Sequence, residues 1–235
     1  MGTHSIAPIL IAAFAAGTQA LMAQSLLIRE ELLLYGGNEV AVGAFLGLWL
    51  LGITAGALFA TRLLLHADRW CVPLLLAQGG LPLFAMALAR VARALAGTPP
   101  YEPFPLSMLL VWSIPVAVPV SLTTGALVPC LAARARSASV DVTSIYVAEA
   151  LGSLVGGVAT TLLLLVGVDS AALVLFCAAL GTGGSAALLR GVGRIGAATL
   201  APVLLVLALM VGPHLGQALH CQSLAALLPG AVLLD

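Results

Sequence analysis

Seven long apolar stretches, each about as long as a bilayer is thick, fill most of this 235-residue chain and are parted only by short polar breaks. A helix needs about 20 mostly apolar residues to cross the roughly 30 Å of hydrocarbon, so the length allows six to eight crossings and little else. The composition agrees: 62% of residues are hydrophobic and 8% charged, with a mean hydropathy of +1.17, whereas soluble domains carry about 25% charged residues. The sequence therefore predicts an all-α integral membrane protein with about seven transmembrane helices over residues 1–219 and a short tail at 220–235. It leaves no room for a separate soluble catalytic domain.

The expected helices follow from punctuation. The first runs from about Ile6 to Tyr35 and ends at Gly36-Gly37. It carries no Lys or Arg ahead of its apolar run and is too long for a signal peptide, so it reads as retained. Asn38 is placed to cap a second helix reaching about Leu65, with Glu39 near the positive end of its macrodipole. A third covers Cys71 to Leu95, and the segment Thr98-Pro99-Pro100-Tyr101-Glu102-Pro103-Phe104-Pro105 stops it. A fourth spans Leu106 to Ala133 with Pro115, Pro119 and Pro129 inside, each expected to kink it and to border a cavity. The fifth runs from Val142 to Val168, the sixth from Asp169 to about Leu189, and the seventh from Ile195 to Leu219.

All nine basic residues are arginine, and nine acidic residues balance them. No block of like charge suggests nucleic acid as a partner. Arg62, Arg69, Arg134, Arg136, Arg190 and Arg194 fall at one set of helix ends, and Arg29, Arg90 and Arg93 at the other. The bias puts the first set and the N-terminus in the cytoplasm, which predicts a multi-pass protein of a cytoplasmic (inner) membrane. Cys71, Cys130, Cys177 and Cys221 stand singly, without disulfide or zinc spacing, and read as small apolar helix residues. His4, His66, His214 and His220 do not pair at mid-membrane spacing, which disfavours a bis-histidine haem; a quinone site needs few fixed residue types and stays open. No metal or cofactor is expected.

Glycines repeat every four residues at Gly43/Gly47, Gly52/Gly56 and Gly152/Gly156, the spacing that lets helix backbones approach closely in lipid. They read as internal packing rather than a dimer interface. Gly181-Thr182-Gly183-Gly184 has no strand before it and does not read as a phosphate loop. Glu149 is the most informative charge, because a carboxylate at membrane depth must be compensated. With Tyr146 one turn earlier, and Gln19 and Gln24 on the first helix, it forms a candidate intramembrane polar site. The bland alternative is a structural hydrogen bond to a neighbouring helix. Arg29, Glu30, Glu31, Glu39, Arg90, Arg93, Glu102 and Asp169 form a candidate outer-side charge cluster: either an ion-paired vestibule or a set of solvated helix ends, the latter favoured.

The run Ala20-Leu21-Met22-Ala23-Gln24 through Leu27-Ile28-Arg29-Glu30, then Gly36-Gly37-Asn38-Glu39 and Gly47-Leu48-Trp49-Leu50-Leu51-Gly52-Ile53, resembles the membrane domain of bacterial membrane-bound spermidine synthase-like proteins. Thr124-Gly125-Ala126-Leu127-Val128-Pro129 and Ile145-Tyr146-Val147-Ala148-Glu149-Ala150-Leu151-Gly152-Ser153 carry the same likeness, and the Tyr-x-x-Glu-x-x-Gly-Ser block is its most specific part. The resemblance implies a helical domain similar to half of a major-facilitator transporter, in the bacterial inner membrane, ahead of a soluble polyamine-forming aminopropyltransferase domain. The chain stops at Leu234-Asp235, which looks like the run-in to that domain, so no catalytic residue carries over and enzyme activity is not expected of this chain alone. The expected role is a noncatalytic membrane domain or subunit, bound to other subunits or to copies of itself, that anchors or scaffolds a partner handling a small cationic or lipid-soluble ligand. Two alternatives stay open. One is a homodimeric, proton-coupled small-solute transporter in which Gln19, Gln24 and Glu149 face a common interior; the other is a scaffold subunit of a larger redox complex.

Overall fold

The computed structural model describes residues 6–63, 66–99 and 102–189. These form six α-helices: α1 (Ala7–Leu34), α2 (Glu39–Leu63), α3 (Ala67–Leu95), α4 (Leu109–Ser137), α5 (Val142–Leu165) and α6 (Ser170–Leu189), with a short 3-10 turn at Leu106–Met108 before α4. No strand occurs among the described residues. All six helices are long and apolar enough to cross a membrane, and the chain is an all-α, multi-pass membrane protein. The expected seventh helix at 195–219 and the tail at 220–235 lie outside the described residues.

Local chemistry sets the helix ends. Gly36 and Gly37 take φ of 60° and 81°, and the Gly37 N–H returns to the Leu32 carbonyl at 2.7 Å. This left-handed exit closes α1 at little steric cost because glycine lacks a Cβ. Asn38 caps α2 as expected, its Oδ1 accepting from Val40 N at 2.8 Å. Asp141 does the same for α5 through Thr143 N, and Asp169 for α6 through Ala171 N. The three prolines of α4 lie inside one continuous helix. Thr123 and Thr124 hydroxyls donate to the Val120 carbonyl at 2.7 and 3.0 Å, the kind of side-chain bond that helps a proline-bearing helix satisfy its backbone in lipid.

The helices alternate in direction, and α1 is their common neighbour. Two thirds of its spanning window is buried (67%), against 22% for α2 and 17% for α5. One face of α1 receives α5 in parallel: a Cβ at Gly17 would run into the Glu149 backbone, one at Gly152 into Phe14, and one at Gly156 into Thr18. An equivalent parallel seam joins α2 to α4, where Gly56 meets the Leu122 backbone and Gly125 meets that of Ile53. Gly52/Gly56 and Gly152/Gly156 are thus internal packing. Gly43 and Gly47 are not: a Cβ at either would meet nothing within 4 Å, so this pair lies on the outer side of α2. Cys71, Cys130 and Cys177 are buried in the helices.

The seams are specific to the missing side chains. Gly152→Leu or Gly56→Leu should destabilise the protein by about 3 kcal/mol, the upper part of the usual overpacking range, and Gly43→Leu by less than about 0.5 kcal/mol, as for a surface change. Reversible unfolding of the three variants in mixed detergent micelles measures the difference.

Candidate functional site

Four helices meet near mid-span around two buried amides. Gln19 of α1 is fully buried and its Nε2 donates to the Cys177 carbonyl of α6 at 2.6 Å. Glycines make the room: a Cβ at Gly79 of α3 would come within 3.0 Å of that Nε2, and one at Gly181 of α6 within 2.7 Å. Gln78 of α3 donates to the Ala16 carbonyl at 3.1 Å and to Thr124 Oγ1 at 3.3 Å. One polar layer therefore ties α1, α3, α4 and α6 together at the depth where a stray amide is most costly. Gln19 Oε1, Gln78 Oε1 and Ser185 Oγ are buried without a hydrogen-bond partner among the described residues.

A second, charged layer lies about 11 residues farther along α1, some 16 Å at 1.5 Å per residue, where the helix nears the bilayer surface. Arg90 of α3 forks onto Glu30: Nε to Oε2 at 3.1 Å and Nη2 to Oε1 at 2.9 Å. Their side chains are only 12% and 5% exposed, and the two-pronged geometry suits guanidinium against carboxylate. Asp169, at the start of α6, adds its charge to the surroundings of Arg90. Next to this pair, Glu31 is fully buried. Its Oε2 accepts from Ser113 Oγ of α4 at 2.9 Å, and its Oε1 has no partner. Tyr35 follows one turn on, edge-to-face with Phe104 at 5.2 Å between ring centres. Its buried hydroxyl also lacks a partner. Burial first, and then the Glu31 charge, push that phenol up to about 12, against a smaller opposing effect of the nearby Ser113 hydroxyl. Arg93 reaches the carbonyls of Pro99 and Glu102, tying the end of α3 to the proline-rich connection, with its guanidinium 6.0 Å from the Phe104 ring centre.

The candidate polar residues read from sequence do not gather at one place. Glu149 is part-buried on the α1–α5 seam, where Ser153 Oγ, one turn along the same helix, lies 3.2 Å from its Oε1 and 3.3 Å from the Gly17 carbonyl of α1; the bond of Glu149 itself stays within α5. Tyr146 is 52% exposed and faces away from the bundle. Gln24 is part-buried and, at 100° per residue, shares the α5-facing side of α1 with Gly17 but lies about two turns beyond it. Gln19 is turned about 140° from Gln24, toward α3 and α6. The charge cluster divides in the same way. Glu30, Glu31 and Arg90 are drawn inward, whereas Arg29, Glu39 and Glu102 are exposed.

Gln78, Thr124, Ser113 and Tyr35 were not singled out by the sequence reading. Gln78 alone carried a signal, as an amide in the middle of an apolar span. Among the described residues, no three His, Cys, Asp or Glu side chains come together to hold a metal ion. Chemically the two layers are donors and acceptors that fix helices, with three acceptor oxygens (on Gln19, Gln78 and Glu31) and two hydroxyls (on Ser185 and Tyr35) left over among the described residues. No protein-family model, characterised protein or solved structure matches the chain.

The Glu30–Arg90 pair should behave as a buried ion pair. Glu30→Gln or Arg90→Met leaves one charge uncompensated and should cost about 3–5 kcal/mol. The double variant should recover more than half of that loss, which a double-mutant cycle of unfolding free energies measures.

Proposed function

We propose that this chain is a noncatalytic integral membrane domain that anchors and organises a partner protein. The observation carrying this reading is the use made of the Tyr146–Ser153 block, the most specific part of the likeness to spermidine synthase-like membrane domains. Its glycine, serine and glutamate form a helix seam: Gly152 admits the Phe14 backbone and Ser153 sits between Glu149 and the Gly17 carbonyl. Residues in such a seam hold α5 in place, which supports a structural use of the block. Support also comes from α2 and α5, which present broad apolar faces through Leu50, Leu51 and Leu58 and through Leu151, Leu154 and Leu162. Faces of this kind suit lipid or a neighbouring subunit.

The partner that the resemblance points to is a soluble aminopropyltransferase acting on polyamines, held at a bacterial inner membrane. Arg62, Arg69, Arg134 and Arg136 gather at the ends of α2 and α4 and the start of α3, opposite Arg29, Arg90 and Arg93; with the positive-inside rule this favours a cytoplasmic N-terminus. The homodimeric transporter is the less supported alternative, because α1 turns Gln19 and Gln24 to different sides. Among the described residues, none favours a redox scaffold.

Gentle purification from native membranes, followed by mass spectrometry of every stoichiometric chain, tests the proposal. A transferase should be recovered with the wild-type protein and with Glu149→Gln, and its yield should fall at least several-fold with Gly152→Leu, which opens the seam. Recovery of the chain alone, with solute uptake in vesicles that Glu149→Gln abolishes, would establish the transporter instead.

A further inference from the structure

We propose that Glu31, with the hydroxyls of Ser113 and Tyr35, forms an exchangeable site for one monovalent cation, a proton or a sodium-sized ion, at the Glu30–Arg90 end of the bundle. Three observations carry it. First, Glu31 is fully buried, and among the described residues only one of its oxygens has a partner, the Ser113 hydroxyl at 2.9 Å. A carboxyl group so placed costs several kcal/mol unless a positive charge joins it.

Second, the cations of the neighbouring elements are committed elsewhere. Arg90 has both prongs on Glu30, Arg93 is turned to the Pro99 and Glu102 carbonyls, and Arg29 is exposed. Among the described residues, the remaining charges at this end are acidic. Asp169 at the start of α6 caps its helix, and Glu39 of α2 and Glu102 of the proline-rich connection are exposed.

Third, a buried hydroxyl stands ready beside the carboxyl. Tyr35 is one turn along from Glu31, its ring is fixed against Phe104, and its oxygen is buried and unpartnered. Glu31 and Tyr35 come from the end of α1 and Ser113 from the start of α4, so the oxygens belong to two helices. An all-oxygen set with a single uncommitted carboxylate suits a hard ion of charge one rather than a divalent metal, which gathers several carboxylates. A proton would neutralise the Glu31 carboxylate in place, whereas sodium would draw on lone pairs of the carboxylate and the hydroxyls. The site is independent of the anchoring reading: co-purification tests one and cation exchange the other.

The test is infrared difference spectroscopy of the purified full-length protein in nanodiscs, in two arms. One arm acidifies a sodium-free buffer; the other titrates sodium chloride at constant pH and ionic strength. The wild type should give a saturable change in the protonated-carboxyl stretch. A change on acidification alone identifies a proton site, and reversal of that change by sodium identifies a site shared by both ions. Glu31→Gln should abolish the signal, Glu149→Gln should keep it, and Tyr35→Phe should shift the midpoint by about tenfold in cation concentration, the worth of one polar contact to the bound charge, without lowering thermal stability in cation-free buffer. If Glu31→Gln does not fold, Tyr35→Phe and Ser113→Ala decide: unchanged midpoints in both overturn the proposal. So does a wild type without a saturable response in either arm, a response that persists in Glu31→Gln, or one lost in Glu149→Gln.

Discussion

Direct contact between helix backbones is the constraint on which the rest of this structure depends. In lipid, an apolar side chain gains little by leaving hydrocarbon for another helix, so helices associate through close packing and polar bonds. Gly17, Gly152 and Gly156 bring α5 onto α1, and Gly52, Gly56 and Gly125 bring α2 onto α4, with no space left for even a methyl group. These seams fix the register of two parallel pairs. The parallel arrangement in turn leaves α3 and α6 to close on the other side of α1 and α4.

The polar layers act within the frame that the seams set. Gln19 reaches the Cys177 carbonyl only because Gly79 and Gly181 lack side chains, and Gln78 bridges from α3 to the backbone of α1 and a hydroxyl of α4. Individually such bonds are worth about 0.6 kcal/mol in membrane proteins, but they are directional, and they reject arrangements that leave an amide unpaired. Glu30 and Arg90 do the same with charge at the end of the bundle. Packing thus sets how near the helices come, and the buried polar groups select which helices are neighbours.

Much of this was legible in the sequence because hydrophobic length and punctuation are local properties. The cap at Asn38, the glycine exit at Gly36-Gly37 and the end of α3 at Leu95 all rest on short-range chemistry and are seen where they were expected, although α3 is closed by a left-handed Gly97 ahead of the prolines. What lay beyond reach was the azimuth of each helix. The same four-residue spacing occurs at Gly43/Gly47 and Gly52/Gly56, yet the first pair faces outward and the second faces α4. The spacing gives a stripe, and only the partner helix gives it a meaning. Glu149 drew attention as a charge within a span, but its helix places it on a seam beside Ser153. Glu30 and Arg90 looked like solvated ends, because their pairing across 60 positions depends on α1 and α3 running side by side. Gln78 was the one omission that a stricter count of polar residues at mid-span would have caught.

Helix α1 is the shared axis, with α5 lying parallel on one face and α3 and α6 on the others. Photo-crosslinking in native membranes tests this most directly. Benzoylphenylalanine in place of Phe14, an aromatic position 39% exposed at the mouth of the α1–α5 seam, should attach to a peptide of α5 near Gly152 within the same chain. Attachment to α2 or α3, or only to a second copy of the chain, would contradict it.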